Sequence, residues 1–474
     1  MQIILLLLFF ILCTSPVQAA EEPAIRVTVP RVEEAGFNGL QIAAAVDEYV
    51  YSEFGFHVEL DFVVMDNYER EITHASLLEN LPDAFFIWDR SMAAALIQKN
   101  QLAPLENLLN DYGTDLISFF GEELSITNAG YDSIYVLPNK LDRENISCFE
   151  YRASIADKYQ LDMDSVRSIN DLSDIFAKLH EASPDVVCCD PLTLGYYDAL
   201  GDSLGVLMDC GRSDRIVNLY ETEAFRNYVF LISDWRKKGY LLDDNLGYNS
   251  INRFVASPEI FGKFSNYHPA LVSVDGAAAE EELRTVTLYD SFVSTDDYQT
   301  FQYGISSQCQ NPAYAMQFLK LLFTDATLVN LLTYGVEGVH YQVIDEKLQT
   351  ISFQDDSVDG TGSYHQFRGY YYGNQYLCKL WEGYPIDLWE QETVYNQSIE
   401  RSYACGFIFD PSSVSTAQAA CTQAVNYYLP LLEEGFGDTE MLLSELNNSL
   451  HKAGIDLIIE EKQRQLDLWK EQEK

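Results

Sequence analysis

The residues from Gly201 to Gly205 could form a catalytic serine site. They match the G-x-S-x-G pattern of esterases, which would make Ser203 the nucleophile. This chemistry requires a sharp turn between a strand and a helix, because that turn exposes the serine hydroxyl. Gly211 follows soon afterwards, and residues 206–209 are too few for the required helix. The spacing therefore favours a chance match.

A calcium loop is the second chemical pattern. Loop positions one, three, five and six are occupied by Asp355, Ser357, Asp359 and Gly360. Position twelve is Gln366, where such a loop needs a bidentate glutamate, and the flanking residues lack a helical pattern. A polar turn is therefore favoured. Because the 7 histidines are scattered and no H-E-x-x-H pattern occurs, we expect neither a metal nor a cofactor.

Other enzyme classes have little support in the sequence. Among 73 Asp and Glu residues, close carboxylate pairs of the kind that glycoside hydrolysis uses arise by chance, so no pair stands out. The phosphate-binding pattern G-x-x-x-x-G-K-[ST] does not occur, so the chain is not itself an ATPase. We expect a protein without enzymatic activity. A secreted glycoside hydrolase or esterase is the alternative.

A segment rich in aromatic residues offers a different chemistry, the binding of sugars. Seven Tyr and Trp residues fall within it, namely Tyr370, Tyr371, Tyr372, Tyr376, Trp381, Tyr384 and Trp389. Asn374 and Gln375 lie among them. Sugar rings pack their apolar faces on aromatic planes, and their hydroxyls need amide or carboxylate partners. The mixture is typical of a carbohydrate cleft, and a packed interface between lobes is the alternative.

The charge balance limits the partners. The chain has 30 Lys and Arg against 73 Asp and Glu, a net charge of −43. Such a surface repels phosphate backbones and anionic lipids, so we expect no nucleic-acid partner. The same repulsion predicts a ligand that is uncharged or weakly charged.

The pattern of strands and helices along the chain, together with its length, predicts an α/β protein of two lobes. With 474 residues the chain exceeds the size of one compact core. Strand patterns at Ile25–Val29, His57–Met65 and Asp83–Trp88 alternate with helical patterns such as Gly39–Phe54. This alternation indicates a largely parallel sheet. From Ser415 onward the pattern is helical.

The N-terminus resembles a signal peptide. Ile3 to Cys13 is apolar, too short to cross a bilayer but long enough for the h-region, and small residues at Val17 and Ala19 predict cleavage before Ala20. Cys13 is an alternative lipid-anchoring site. We expect an exported protein, at the cell surface or in the periplasm. The later cysteines are scattered, and we expect the adjacent Cys188 and Cys189 to be buried thiols rather than a strained disulfide ring.

Several stretches resemble bacterial extracellular solute-binding proteins of the family 1 type, in particular the subgroup with a C-terminal DUF3502 or lipoprotein LipO-like region. In the C-terminal half they are Asn311–Leu319, Tyr334–Tyr341, Gly373–Leu377, Gly406–Asp410, Ala453–Asp456 and Glu460–Asp467. A looser likeness covers Pro82–Phe86, Tyr135–Pro138, Tyr151–Arg152 and Ala156–Tyr159. Together the C-terminal stretches extend over roughly residues 313–469.

The resemblance implies a periplasmic-binding-protein-like type II fold. Each lobe would have a mostly parallel sheet flanked by helices, with the ligand cleft between the lobes. After a signal peptide at 1–19, we expect lobe 1 at 20–138, with part of 250–300 returning to it. Lobe 2 would comprise 139–250 and about 300–474, with the helical DUF3502-like region at about 330–470.

The resemblance also implies the function of a monomeric substrate-binding protein that passes a carbohydrate-type solute to the membrane permease of an ABC transporter. Ligand contacts in open α/β sheets gather beyond the carboxyl ends of strands. From these positions and the aromatic segment we predict ligand-binding residues, and they are Trp88, Asp89, Arg152, Tyr371, Tyr372 and Asn374.

Overall fold

The structure is a computed structural model. It describes residues 23–31, 39–143, 146–189, 195–242, 254, 257–266, 268–269, 275–276, 279, 281–345, 347, 349–353 and 369–472. The signal peptide, Cys13 and the calcium-like loop at 355–366 lie outside the described residues.

The strands in chain order are β1 Ala24–Arg31, β2 His57–Val64, β3 Ala84–Asp89, β4 Val136–Pro138, β5 Ile146–Arg152, β6 Val187–Cys189, β7 Val206–Leu207, β8 Ile216–Val217, β9 Ile260–Asn266, β10 Leu283–Thr287, β11 Phe292–Val293, β12 Thr300–Ile305, β13 Tyr341–Asp345, β14 Thr350–Phe353, β15 Leu380–Trp381 and β16 Glu400–Arg401.

The α-helices are α1 Gly39–Phe54, α2 Met65–Leu77, α3 Arg90–Gln98, α4 Glu106–Tyr112, α5 Thr114–Phe120, α6 Glu122–Thr127, α7 Ala153–Lys158, α8 Leu172–Ala182, α9 Glu223–Lys238, α10 Thr295–Tyr298, α11 Pro312–Thr324, α12 Ala326–Tyr334, α13 Leu388–Ser398, α14 Ser415–Glu433, α15 Thr439–Ala453 and α16 Ile455–Gln472. Short 3-10 turns are at Met163–Ser165, Ile169–Asp171, Leu219–Glu221 and Gln375–Leu377.

The first lobe is built on a five-stranded sheet in the order β2-β1-β3-β12-β4. Strands β1, β2 and β3 are parallel, as their alternation with helices predicts, and β12 runs antiparallel to both of its neighbours. Because β12 alone reverses direction, the carboxyl ends of the other four strands meet at one edge. This edge faces the point where the chain leaves for the second lobe.

The second lobe has a four-stranded sheet in the order β10-β5-β9-β6. Here β5 runs opposite to the other three strands. Helices α8, α9, α14, α15 and α16 contribute side chains to the apolar core of this lobe, which is separate from the core of the first lobe. The C-terminal helices therefore pack in the second lobe.

The lobe membership of residues 300–334 differs from the prediction. Strand β12 joins the first sheet, and the apolar faces of α11 and α12 lie in the core of the first lobe, where Phe318, Leu319 and Leu322 are fully buried. Strands β9 and β10, in the region expected to return to lobe 1, lie in the second sheet. Helical periodicity predicts which face is apolar, but it does not identify the surface that this face packs on.

The ends of several helices follow from single residues. Thr222 caps α9 through its side chain, and Gly239 ends that helix in the left-handed conformation at φ 75°. Asn311 occupies the N-cap position of α11, but its side-chain amide instead donates to the Ala24 carbonyl at 3.0 Å. That bond ties α11 to the first strand of lobe 1.

Among the described residues, no single helix is long and apolar enough to cross a membrane. Helices α11 and α12 reach that length only as a pair, and they meet at a bend of 82°. Strands β13, β14 and β15 form a small sheet beside them, with its own apolar cluster around Trp381.

Candidate functional site

Three segments connect the lobes. The first follows β4, the second runs from β10 to β12, and the third precedes the C-terminal helices. The second and third lie side by side, because β11 pairs with β16 in parallel. Arg143 of the first segment donates a hydrogen bond to the backbone carbonyl of Asp297 in the second. Together the three segments form a hinge.

An aromatic group lies where the first-lobe strands end near this hinge. It consists of Phe86, Trp88, Phe301, Tyr370 and Tyr371. The ring of Trp88 meets that of Phe301 edge-on at 5.2 Å, and the ring of Phe301 stacks on Tyr370 at 5.8 Å. Trp88, Phe301 and Tyr370 are half-buried, so part of each ring remains open to solvent. A flat ring that is open to solvent can receive the apolar face of a sugar.

The backbone at Phe301 is strained. Its φ is 53°, in the left-handed region that a bulky residue rarely adopts. The backbone N–H of Asn139 donates to the Phe301 carbonyl at 2.8 Å, which holds the turned backbone against the first hinge segment. Such strain concentrates at binding and switch sites. The sequence offers no signal for Phe301, since its conformation depends on tertiary contacts.

Asp89, a predicted ligand residue, has a structural task. Its carboxylate accepts the Met92 backbone N–H at 2.9 Å and so caps the N-terminus of α3. The cap fixes the direction of the next residue, Arg90. The Arg90 guanidinium donates to the Ala129 carbonyl at 2.8 Å and lies 4.7 Å from the centre of the Tyr131 ring.

Between the lobes, next to α3, lies a cavity of about 320 Å³, here called the interlobe cavity. The first lobe contributes the start of α3, and the second lobe contributes two loops and α14. The lining residues are Arg90, Ser91, Ala94, Asp198, Leu200, Gly201, Asp202, Thr295, Asp296, Gln299, Phe407, Ile408, Phe409, Pro411 and Gln418. Its size is at the low end for ligand pockets.

Carboxylates dominate the polar lining of the interlobe cavity. Burial, together with the charges of Asp198 and Asp297, raises the pKa of Asp296 to about 6. Burial also raises the pKa of Asp198. Asp202 is paired with the buried Lys462 ammonium at 2.6 Å. With 73 acidic residues in the chain, sequence reasoning could not select these three.

Arg152 lies within the second lobe and is 2% exposed. Its guanidinium pairs with Glu281 at 2.6 Å and donates to the carbonyls of Ile260 and Phe254 at 3.0 and 2.5 Å. All three guanidinium nitrogens are thus engaged. Arg152 therefore joins β5 to the segments around it, and it does not come together with the aromatic group.

The other three predicted residues, Tyr371, Tyr372 and Asn374, are all buried. Tyr371 belongs to the aromatic group, although it is only 9% exposed. Tyr372 is fully buried in the core of the first lobe. Asn374 is also buried, where it donates to the Phe323 carbonyl at 3.2 Å and accepts the Tyr376 amide N–H at 3.1 Å. The structure therefore brings Trp88 and Tyr371 together, with Asp89 beside them.

Two other cavities lie apart from this one. The larger, about 640 Å³, is on the outer side of the first lobe along β2 and is lined by acidic residues such as Glu59 and Asp61. The other, about 350 Å³, lies at the hinge around Arg143, Tyr298 and Tyr376. Although the outer groove is larger than the other two cavities, its position away from both the hinge and the second lobe makes it a poorer candidate for a closing site.

One cluster among the described residues has metal-ligand types. Single ligand atoms of Asp142, His268 and Glu392 lie within 4.8 Å of one another. The two ring nitrogens of His268 face Asp142 at 2.7 Å and Glu392 at 2.9 Å. A neutral imidazole donates from one nitrogen only, and a protonated one donates from both. The three side chains thus contact one another directly.

The G-x-S-x-G match lies on a turn, with Ser203 at φ 57°, and the strand β7 follows it. The helix that a nucleophile elbow requires is therefore replaced by a strand at this position. Cys188 and Cys189 are both buried thiols, and burial raises the pKa of the Cys188 thiol to about 12. The eight described cysteines form no disulfide with one another.

Comparison with known proteins agrees with this architecture. Residues 403–471 match DUF3502, a domain of unknown function. A curated carbohydrate ABC transporter substrate-binding protein from Streptococcus pneumoniae serotype 4 is 22% identical over 444 residues, which covers 90% of this chain and 87% of the relative.

Solved structures show the same fold. The crystal structure of the N-glycan transport solute binding protein NgtS from Streptococcus pneumoniae aligns with a TM-score of 0.83 and 20% identity, and the alignment covers 96% of this chain and 100% of that one. The chain has the fold of the solute-binding proteins. NgtS in complex with Man1GlcNAc gives a TM-score of 0.77 at 20% identity, with 94% and 99% covered. Alginate-binding protein AlgQ2 without calcium ion gives 0.62 at 15% identity, with 94% and 99% covered.

These findings confirm the expected resemblance and the α/β fold of type II, and they confirm a DUF3502 region at 403–471, which is shorter than the expected one at about 330–470. In the structure, Phe407, Ile408 and Phe409 of the stretch Gly406–Asp410 line the interlobe cavity.

Proposed function

We propose that this protein is the extracellular substrate-binding component of an ABC importer that captures a carbohydrate-type solute between its lobes. The observation that carries the proposal is a cavity between two lobes, beside a hinge, in a fold whose solved relatives include NgtS in complex with Man1GlcNAc and with Man5GlcNAc. The whole-length similarity to a carbohydrate transport protein supports the same function.

The mechanism is closure of the lobes around the ligand. A ligand that touches both lobes stabilises the closed form over the open one, and the permease then recognises the closed form. The hinge suits this motion, because the paired strands β11 and β16 are only two residues long and bend more easily than a broad sheet would. The size of the shift depends on the difference in affinity between the two forms.

The proposed ligand contacts combine aromatic stacking with polar groups. Trp88 offers an open ring face at the first-lobe side, supported from beneath by the buried ring of Tyr371, and Asp89 and Arg90 lie directly after Trp88. The net charge of −43 supports an uncharged or weakly charged ligand. Arg152, Tyr372 and Asn374 would act indirectly, because their polar atoms are engaged inside the lobes.

The proposal includes release of the ligand unchanged. A strand follows Ser203, so the serine lacks the helix of an esterase elbow. We therefore expect no turnover of chromogenic esters or glycosides. If the protein turns over such a substrate and the Ser203→Ala variant does not, the protein is an esterase and not a binding protein.

We further propose export with removal of residues 1–19, or lipid attachment at Cys13, and a monomeric protein that meets its permease at the membrane. Mass spectrometry of the mature protein separates the two modes. A first residue of Ala20 indicates simple secretion, an acylated Cys13 indicates a lipoprotein, and a retained Met1 contradicts both.

A panel of mono- and oligosaccharides, measured by thermal shift and then by calorimetry, tests the binding function. We expect at least one glycan to raise the melting temperature and to reduce the radius of gyration in small-angle scattering, because closure compacts the molecule. If no glycan changes either quantity, a carbohydrate ligand is excluded. A glycan that raises the melting temperature without compaction would contradict the closure mechanism.

A further inference from the structure

The DUF3502 region supplies the second-lobe wall of the interlobe cavity. Phe407, Ile408, Phe409 and Pro411 come from the segment before α14, and Gln418 comes from α14 itself. Opposite this wall are Arg90, Ser91 and Ala94 of the first lobe. A domain without an assigned function therefore forms one side of the cavity that closure would shut.

The wall touches the first lobe directly. A methyl group placed on Gly130 would lie 3.2 Å from the Ile408 side chain and 3.0 Å from a guanidinium nitrogen of Arg90. Gly130 also has φ 79°, which disfavours any larger residue. The contact between Gly130 and Ile408 therefore closes one end of the cavity.

Two polar acceptors in the cavity have unused capacity. Among the described residues, the Asp296 carboxylate accepts one hydrogen bond, from the Gly201 backbone N–H to Oδ2 at 3.0 Å. Gln299 is 2% exposed, and its Oε1 has no hydrogen-bond partner among the residues that the structure describes. A buried acceptor without a donor is costly, so the Gln299 oxygen calls for an O–H or N–H group. Asp296 is half-buried, and its Oδ1 can accept a hydrogen bond from such a group at the cavity.

The neighbouring carboxylates are already occupied. Asp198 accepts the Leu200 amide N–H at 3.0 Å and the Ser402 hydroxyl. Asp202 accepts the Gln418 side-chain amide at 2.8 Å and the Lys462 ammonium. Asp296 and Gln299 thus each keep an open acceptor, and both lie on the second hinge segment.

We propose that the interlobe cavity is a subsite for one or two neutral sugar residues, walled by DUF3502, with Asp296 and Gln299 accepting sugar hydroxyls. This rests on the proposed carbohydrate-binding function. A polyhydroxylated ligand supplies several O–H donors within a small volume. Such a ligand suits a cavity of about 320 Å³ whose two open acceptors lie close together in the chain. The half-buried side chain of Phe409 offers an apolar surface to the sugar ring.

The subsite makes binding depend on pH. The pKa of Asp296 in the empty protein is about 6, because of burial and then the charges of Asp198 and Asp297. A carboxylate that accepts two hydroxyls is stabilised in its ionised form, so the ligand lowers this pKa. Affinity should therefore be constant above about pH 7 and should fall as pH decreases below about 6. The other charges around the cavity are Asp202, Lys462 and Arg90.

The test uses the full mature protein, with the mannosyl-N-acetylglucosamine disaccharide and the best glycan of the panel as probes. Calorimetry at pH 7.5 and pH 5 compares the unmodified protein with Asp296→Asn, Gln418→Met and the control Asp164→Asn. Asp164 is an exposed acid in the second lobe, outside the cavity lining, so this control removes the same charge.

We expect Asp296→Asn to weaken binding at least tenfold at pH 7.5 and to abolish the loss of affinity at pH 5. The asparagine oxygen can still accept the Gly201 N–H, so this variant should fold. If it does not, Gln418→Met should weaken binding several-fold by removing an amide from the wall. The Asp164→Asn control should match the unmodified protein at both pH values.

The outcomes separate the two proposals. If the unmodified protein binds no glycan, the carbohydrate function fails and the subsite fails with it. If it binds a glycan, but the two cavity variants bind as tightly as the control, the subsite is wrong while the binding function stands. An unchanged pH dependence in Asp296→Asn would also overturn the role of this carboxylate.

Discussion

The Tyr372 hydroxyl donates a hydrogen bond to the backbone carbonyl of Pro30 at 2.8 Å, which connects positions that are 342 residues apart in the chain. Pro30 lies near the carboxyl end of β1, at the sheet edge beside the hinge. The bond therefore attaches the aromatic-rich segment to the first lobe from within, and the ring of Tyr372 fills the core beneath the aromatic group.

Tyr372→Phe should destabilise the protein because it leaves the Pro30 carbonyl without its buried donor. An orphaned buried acceptor costs about 1–3 kcal/mol of unfolding free energy, and Tyr372→Ala should cost about 3–5 kcal/mol through the added cavity. Urea unfolding measures both. Tyr427→Phe, at a residue that is 68% exposed, should have no effect, and equal stability of all three variants would contradict the core assignment.

The aromatic segment shows where sequence reasoning stops. Its composition predicted stacking residues, and Tyr371 does join the aromatic group. The segment is irregular, however, and has neither the period of a helix nor that of a strand, so nothing in it distinguishes an inward Tyr372 from a partly exposed Tyr370. The position of Trp88 in the fold was predictable, because Trp88 lies near the carboxyl end of β3, a strand whose pattern is clear and whose direction the fold dictates.

Trp88→Ala should weaken glycan binding with a smaller loss of stability than Tyr372→Ala. Loss of a stacking aromatic costs about 1–3 kcal/mol of binding free energy, roughly a ten- to hundredfold decrease in affinity. Calorimetry and thermal melting of the empty protein give the two quantities. Tyr112→Ala, at an aromatic that is 40% exposed on α4, serves as control. Normal affinity together with a large fall in melting temperature would make Trp88 a core residue.

Arg152→Met should destabilise the second lobe strongly. It removes the partner of Glu281 and the donor to the carbonyls of Ile260 and Phe254. Breaking a buried pair on one side typically costs about 3–5 kcal/mol. Arg152→Lys should recover only part of this, because one ammonium cannot replace the planar set of donors. Equal unfolding midpoints for Arg152→Lys and the unmodified protein would contradict this assignment.

The chemistry of the interlobe cavity was harder to predict than the lobes. Helix ends followed from Gly239 and Thr222 because capping depends on local sequence. Asp296 instead acquires its properties from burial and from Asp198, which lies almost a hundred positions earlier in the chain. Such proximity results from tertiary packing. The sequence around Asp296 does not distinguish it from the other acidic residues among the 73.

Glu433→Gln should stabilise the protein at pH 8 and have little effect at pH 4. Burial, and then the charge of Glu434, raises the pKa of Glu433 from 4.5 to about 7 in the folded protein. A carboxyl with a raised pKa contributes stability below the unfolded value, near 4.5, and this contribution is lost as pH rises through about 7. Thermal melting from pH 4 to 8 measures the difference. For the control Glu460→Gln, at an exposed residue of α16, the melting temperature should follow that of the unmodified protein across this pH range.

Ile408→Ala should shift the lobes toward the open arrangement without unfolding either lobe. The Ile408 side chain is half-buried and lies against Gly130 of the first lobe, so removing its outer carbons takes apolar contact from the arrangement in which the lobes meet. At about 25 cal/mol per Å² the loss is on the order of 1 kcal/mol, and apparent affinity should fall about fivefold. Small-angle scattering with saturating glycan should still show compaction, because the ligand can drive closure at higher concentration. Leu468→Ala, at an exposed apolar residue of α16, is the matched control and should leave affinity unchanged. If Ile408→Ala and Leu468→Ala bind alike, the contact between Gly130 and Ile408 does not contribute to closure.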